Sequence, residues 1–373
     1  MTKVVYPGQT IGIIGGGQLG RMMALAAKEA GFKVAVLEPT MDSPCGQVAD
    51  IRIVASYNDE AALEELAEVS DVITYEFENI DYDGLKRLSQ IAYVPQGAEL
   101  VRITQDRIIE KTEIQASGAP IAKFVEANTF EELEQAIDEV GFPCVVKTAR
   151  GGYDGKGQQT IQSKEELGVA RSLFDHSACI AEAFVSFTKE ISVIVQRNGE
   201  GQTYCLPIGE NIHVNHILHE TIVPARIDAS LAAKAIEAAE KIANHLNLVG
   251  TLAVEMFVLE ENDILINELA PRPHNSGHYS IEACNISQFH QHIRAVCGWP
   301  LRDPKLWTET VMVNVLGQHI VPLTNNLCKY PNWSVHLYGK SEAKTNRKMG
   351  HVTILSANIE ETLKEIEQSK IWS

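Results

Sequence analysis

The sequence lacks the marks of several protein classes at once. Its seven cysteines (Cys45, Cys144, Cys179, Cys205, Cys284, Cys297 and Cys328) form no C-x-x-C pair, and an odd, scattered set in a chain this long points to reduced thiols and the cytoplasm. No stretch approaches 18 uninterrupted apolar residues, so no membrane span is expected. The first strand-like run, Thr10-Ile11-Gly12-Ile13-Ile14, is not preceded by a cationic and then apolar leader, so no export signal is expected. Positive charge is in deficit: 32 basic residues face 49 acidic ones, a net charge of −17, which disfavours nonspecific attraction to nucleic acid or anionic lipid. An anionic substrate therefore needs a local basic pocket. No G-x-S-x-G elbow and no cysteine with an activating motif occur, so no acyl-enzyme nucleophile is expected.

What is present suits a folded globular protein of two or three domains: 373 residues, 45% hydrophobic and 22% charged. Residues 1 to 106 alternate strand and helix patterns, Ile11 to Ile14, Leu19 to Ala30, Val34 to Leu37, Asp59 to Glu68 and Val72 to Tyr75, and predict a small parallel α/β domain. Turn chemistry at Tyr93 to Gly97 ends it, and Thr104 is expected to cap the next helix. From Ala119 the texture becomes α+β. Thr129-Phe130-Glu131-Glu132 is a capping box opening a helix that Gly141 closes, and Ser163-Lys164-Glu165-Glu166 repeats the device. Between them, a strand ending in Lys147, a glycine-rich loop and Gln159 to Ile161 read as a mobile lid. A helix over Leu231 to Leu246 and strands around Val311 to Leu316 and Val335 to Tyr338 follow.

Two glycine loops are candidate anion sites. Gly15-Gly16-Gly17-Gln18-Leu19-Gly20 fits G-x-G-x-x-G between a strand and a helix, and Glu38 ends the second strand, so the turn alone is compatible with a dinucleotide. The second loop, Arg150 to Gln158, lacks the P-loop pattern, but its backbone N–H groups can fold over a triphosphate while Lys147 and Lys156 supply charge. The bland alternative is a hairpin tip with solvated lysines.

The most informative signal is a pair of strands, Leu252 to Val258 and Ile264 to Leu269. If their turn centres on Glu261-Asn262, Glu255 faces Glu268 directly, and two carboxylates about 5 Å apart repel unless a cation lies between them. Oxygen-only donors favour Mg²⁺. Asn267 alternates to the opposite face, so its use as a further ligand needs a bulge. Beyond the pair, Arg272 is placed to clamp a phosphoryl or carboxylate group, and Lys340 with Arg347 and Lys348 concentrates positive charge near the end. His213, His216 and His219 have neither helical nor H-E-x-x-H spacing, so polar or nucleotide contacts are expected rather than zinc.

These motifs, with Thr74-Tyr75-Glu76-Phe77-Glu78-Asn79-Ile80 and Asn267 to His278, make the whole chain resemble the N5-carboxyaminoimidazole ribonucleotide synthetases of the ATP-grasp superfamily. The resemblance implies an ATP-grasp fold: a Rossmann-like domain (1–106), a lid (107–187) and a C-terminal mixed-sheet domain (188–373). It implies ATP and Mg²⁺, with Arg107 and Lys147 on phosphates, Gly152, Tyr153, Asp154, Gly155, Lys156, Gly157 and Gln158 covering them, Glu182, Ala183, Phe184 and Val185 as adenine hinge, and Glu190 on the ribose. His213 and Asn267 would lie beside the nucleotide, and Glu255 with Glu268 would hold the metal. Aminoimidazole ribonucleotide would meet Gln18, Leu19, Glu76, Asn275, Lys340, Arg347 and Lys348, so the first glycine motif would serve the ribonucleotide. Bicarbonate is the other small-molecule substrate, and Arg272, Lys340, Asp154 and His274 are the catalytic candidates, the last two for removing the amine proton. A cytoplasmic homodimer without nucleic-acid or membrane partners is expected. Three rivals stand beside this reading. A formate-dependent glycinamide ribonucleotide transformylase tends to carry acids where this chain has Gln18 and Asn275. An NAD-dependent dehydrogenase would use Gly15 to Gly20 and Glu38, and a non-catalytic nucleotide-binding regulator would bind without turnover.

Overall fold

The computed structural model describes residues 3–151, 157–175 and 177–372. The chain begins with β1 (Thr10–Ile14), α1 (Gln18–Glu29), β2 (Lys33–Leu37), β3 (Ile51–Ile53), α2 (Glu60–Val69) and β4 (Val72–Tyr75), whose strands pair in parallel in the order β3-β2-β1-β4. All five residues of β1 are buried, as a strand covered on both faces requires. The helix α1 lays Leu19, Met22, Met23, Ala26 and Ala27 against it at helical spacing. The three-residue β3 was not legible in the sequence, being too short to show a period.

Helices α3 (Tyr82–Ile91), α4 (Glu99–Thr104) and α5 (Arg107–Ala116) lead to the second unit. Thr104 does not cap α5 as expected. It ends α4 with its hydroxyl on Leu100 O, and Asp106 is the cap, accepting from the N–H groups of Ile108 and Ile109. A four-stranded antiparallel sheet then forms from β5 (Phe124–Ala127), β6 (Cys144–Thr148), β7 (Gln158–Ile161) and β8 (Cys179–Ala183), in the order β5-β8-β6-β7, with α6 (Phe130–Val140) and a 3-10 helix (Lys164–Asp175) on one side. The Thr129 hydroxyl accepts from Glu132 N–H, and Gly141 closes α6 at φ +79°, as the capping box predicts.

The third unit contains β9 (Lys189–Arg197), β10 (Thr203–Cys205), β11 (Gly209–Val214), β12 (Ile217–Val223), α7 (Ala229–His245), β13 (Gly250–Val258), β14 (Ile264–Ala270), α8 (Ser280–Ala283), α9 (Gln288–Val296), β15 (Glu309–Leu316), α10 (Ile320–Asn326), β16 (Trp333–Leu337), β17 (Lys348–Ser356) and α11 (Ile359–Ser369). Its strands make one sheet in the order β14-β13-β9-β11-β12-β15-β17-β16, with β10 paired to β9. One face packs Leu252, Val254, Met256 and Val258 of β13 and Ile191, Val193 and Val195 of β9 onto α7 through Leu231, Ala235, Ala238 and Ile242. The alternate residues of those strands, Glu255 and Phe257 among them, point to the other face, and there the site lies. All seven cysteines are free thiols, and among the described residues no helix is long and apolar enough to cross a membrane.

Candidate active site between the lid and the large sheet

The hairpin of β13 and β14 brings Glu255 opposite Glu268, but not by the register the turn suggests. From Val258–Ile264 to Met256–Ile266 the strands pair one residue out of that register, and a bulge at Asn267 then restores it, so that Glu255 meets Glu268. The burial phase shows the same step: Ile264 and Ile266 face the core, and after the bulge Leu269 does. Without the extra residue Glu268 would face α7. With it, Asn267 and Glu268 both turn to the open side beside Glu255, the arrangement a shared cation needs. Burial and then the charge of Glu268 hold the Glu255 carboxyl well above its usual range. Among the described residues no three His, Cys, Asp or Glu side chains converge as a metal cage. The pair is a two-carboxylate donor set of the kind Mg²⁺ uses together with phosphate oxygens.

Around it stand the cationic groups. Arg107 opens α5 and lies 3.9 Å from Glu268. Lys147, near the end of β6, meets Glu182 of β8 at 3.2 Å, and Lys111 of α5 meets the same carboxylate at 3.2 Å. Burial pulls the Lys147 pKa down, Glu182 opposing it. The Glu182 side chain is thus committed to two lysines, and only its backbone and those of Ala183, Phe184 and Val185 are left to act as a hinge. A cleft lined by those last three residues with Lys123, Leu259 and Leu265 opens beside the hairpin tip. Gly157 directly precedes β7, which Gln158 starts, and Thr148 N–H donates to Gly157 O. Gly152, Tyr153, Asp154, Gly155 and Lys156 lie outside the described residues. Glu190 and His213 pair at 3.0 Å on neighbouring strands. Burial opposes the charged form of His213, but the contact and charge of Glu190 together with the charge of Glu255 outweigh it and raise the pKa. His219 turns instead to Glu220 and His216 sits in a turn at φ +62°, so the three histidines do not form a zinc site. Phe187, two residues after Val185, stacks on Phe257 at 4.4 Å, an aromatic pair that sequence reasoning missed.

The first glycine turn is filled by the chain's own carboxylates. Gly16 N–H donates to Glu38 Oε2, Gly17 N–H to Glu76 Oε1 and Gly20 N–H to Glu76 Oε2, while the Tyr57 hydroxyl also donates to Glu38. A Cβ on Gly15 or Gly17 would run into Glu76, one on Gly16 into Glu38, and one on Gly20 into Gly15 O at 2.6 Å. These glycines therefore exist to let two glutamates approach a helix N-terminus. A pyrophosphate has no access to those three amides, and Glu38 is not free for a ribose, which overturns the dehydrogenase reading. Gly16→Ala is expected to cost about 1–3 kcal/mol by overpacking, seen as a lower melting temperature in thermal denaturation.

Glu76 directly follows β4 and is buried, and burial raises its pKa against the two amides. Arg272 and Lys340 both act on it electrostatically. Arg272 is held by Glu78 through two bonds of 2.5 and 3.2 Å, so it enters the site as a bidentate, oriented cation rather than a free clamp. Glu78 was visible in the sequence only as part of the Thr74 to Ile80 motif, and this pairing spans 194 residues. His274 Nε2 lies 3.3 Å from Glu255 and Nδ1 lies 2.9 Å from Ser276 Oγ. Burial, and then Arg272, keep its pKa well below the usual histidine value. Both imidazole nitrogens are thus engaged, one of them on Glu255. Asn275 is 91% buried, counted from its 9% exposure, and its side-chain nitrogen has no partner among the described residues. Gln18 and buried Leu19 form the first turn of α1. Lys340 Nζ donates to Lys348 O at 2.8 Å, and Arg347 donates to Glu342 O at 3.0 Å. Lys348 acts electrostatically on Glu78, Glu255 and His274, so the last unit does close over the same space.

Known proteins match this chain over nearly its whole length. Residues 8–105 match a ribonucleotide synthetase preATP-grasp domain, 112–289 an ATP-grasp domain, and 310–365 a phosphoribosylaminoimidazole carboxylase C-terminal domain. An N5-carboxyaminoimidazole ribonucleotide synthase of Bacillus subtilis (strain 168) is 52% identical over 364 residues, 98% of this chain and 96% of the relative. The chain belongs to the N5-carboxyaminoimidazole ribonucleotide synthase family. Two solved members bear on the site. A Staphylococcus aureus N5-carboxyaminoimidazole synthetase complexed with ADP is 44% identical, with a TM-score of 0.94 over 99% of this chain and 98% of that one. An Aspergillus clavatus synthase complexed with ADP and 5-aminoimidazole ribonucleotide is 29% identical, with a TM-score of 0.90 over 98% of each chain. Membership of the synthase family supports the synthase reading over the transformylase and the regulator.

Proposed function

We infer that the chain is an ATP-dependent ligase that carboxylates 5-aminoimidazole ribonucleotide with bicarbonate, giving N5-carboxyaminoimidazole ribonucleotide, ADP and phosphate in purine biosynthesis. The observation that carries the active-site reading is the Glu255–Glu268 pair, set side by side by a bulge and flanked by Arg107 and Lys147. Two facing carboxylates suit Mg²⁺, which, when bound, supplies charge neutralisation at the transferring phosphoryl group. Arg107 and Lys147 neutralise further phosphate charge, Gly157 and Gln158 add backbone near the phosphates, and the backbone of Glu182 to Val185 reads the adenine. Glu190 takes the ribose, with His213 fixing its carboxylate.

A bicarbonate oxygen attacks the γ-phosphorus, the bond to the β–γ bridging oxygen breaks, and ADP leaves carboxyphosphate behind. The acceptor amine captures that carboxyl carbon directly or as released CO₂, phosphate departs, and the nitrogen loses one proton. No protein nucleophile is needed; electrostatics and exclusion of water do the work. Arg272, oriented by Glu78, faces the anionic intermediate. Asn275 offers its unpaired amide to the uncharged aminoimidazole, Gln18 and Leu19 offer the helix N-terminus, and Lys340, Arg347 and Lys348 attract the acceptor's phosphate. Seven free thiols suit a reducing cytoplasm, and the family resemblance suggests a homodimer, which light scattering would test.

Phosphate release from ATP and bicarbonate should be stimulated by aminoimidazole ribonucleotide. Turnover only with glycinamide ribonucleotide and formate would defeat the reading. A pH dependence follows from Lys340, whose pKa is pushed down to about 8 by burial, then by Arg347 and Lys348. It is charged below that value and neutral above it. The kcat/KM for the acceptor, which reports the free enzyme, is expected to fall as pH rises through about 8, and Lys340→Met should remove that limb of the profile.

A further inference from the structure

The strand that carries Glu268 is an edge of the large sheet, so its outward N–H and C=O groups have no ladder partner and must find others. At Ile266 the chain supplies them with backbone: Ile266 N–H donates to Pro120 O at 2.8 Å. At the bulge, two side chains of α5 take over. Lys111 Nζ donates to Asn267 O at 2.7 Å, and Leu269 N–H donates to Glu110 Oε1 at 2.6 Å. Those two backbone groups lie immediately before and after Glu268.

Both side chains are almost wholly buried, Lys111 at 2% and Glu110 at 3% exposure. Two adjacent buried ionisable residues on a helix are costly unless each meets a partner, and burial pushes the Glu110 carboxyl up to about 8. Packing alone calls for apolar residues at these positions. Lys111 also pairs with Glu182, and Glu182 with Lys147, each at 3.2 Å. One continuous polar chain therefore runs from the bulge to the lid.

We propose that Glu110 and Lys111 are positioning residues for the metal-bearing bulge: they fix the backbone on both sides of Glu268, and Lys111 ties it through Glu182 to Lys147. Relaxation of the bulge into regular register would carry Glu268 toward α7, and the clamp prevents it. The proposal rests on Glu255 and Glu268 as the metal pair. Mn²⁺ binding to the ADP-saturated protein tests it, read from the electron paramagnetic resonance signal of free Mn²⁺, with melting temperature and circular dichroism recorded for each variant. Lys111→Met and Glu110→Leu are expected to weaken Mn²⁺ binding about tenfold or more. Glu110→Gln keeps an acceptor for Leu269 N–H and should stay within about threefold of the parent. A merely structural role would lower the melting temperature and leave the Mn²⁺ affinity of the folded variants unchanged, which overturns the proposal. So would a loss in Glu110→Gln as large as in Glu110→Leu. If Glu110→Leu or Lys111→Met does not fold, the other variant and Glu110→Gln decide. Parent-like Mn²⁺ binding in Glu268→Gln, by contrast, refutes the metal pair itself.

Discussion

Replacing Glu268 by glutamine is expected to lower turnover by about a thousandfold or more, the several kcal/mol that a bound metal supplies at a phosphoryl group, while making the metal-free protein more stable. The two effects have one cause. In the metal-free protein, Glu255 and Glu268 face each other on neighbouring strands. Burial first and Glu268 second raise the Glu255 pKa above its ordinary 4.5. Between 4.5 and the raised value the native state holds a proton that the unfolded chain has released. Stability of the metal-free protein therefore falls as pH rises through that window. Glu268→Gln removes the repulsion but not the burial, so the slope should shrink without vanishing. Phosphate release measures the first effect and thermal denaturation across pH in chelator the second. A variant that loses activity and stability together would point to a packing role instead.

Glu182→Leu should have the largest effect on the fold. One carboxylate lies between Lys111 and Lys147, with side-chain exposures of 8, 2 and 15%. Its removal leaves two buried ammonium groups near each other, at a cost of about 3–5 kcal/mol. Lys147 is already pulled down by burial, with Lys111 adding to the pull. Without Glu182 it falls further and loses its charge for phosphate, so ADP affinity should drop with the urea midpoint. Glu182→Gln keeps hydrogen-bonding capacity and should lose less of both. Equal midpoints for the parent and Glu182→Leu would mean that the triad contributes nothing.

Local chemistry was legible in the sequence and long-range chemistry was not. The Thr129 cap, the Gly141 stop and the alternation of β13 act within a few residues, and the structure has them where the pattern places them. Glu255 does face Glu268, yet near the turn the strands pair one residue away from the turn-centred register. The bulge at Asn267 is set by α5, more than a hundred residues earlier, through Glu110 and Lys111. No strand pattern carries that information. Likewise, Gly15 to Gly20 has the spacing of a dinucleotide turn, because spacing reports close approach and not what approaches. Glu76, which fills it, comes from the end of another strand. Thr104 misled for a related reason: a hydroxyl near a helix start is a cap only if no better one follows, and Asp106 follows.

Diffraction at the manganese edge from crystals soaked with ADP and Mn²⁺ tests the metal centre most directly. An anomalous peak is expected between the carboxylates of Glu255 and Glu268, with an oxygen from each at roughly 2.0–2.3 Å and the nucleotide phosphates on its far side. A peak elsewhere, with the two side chains turned apart, would contradict the account.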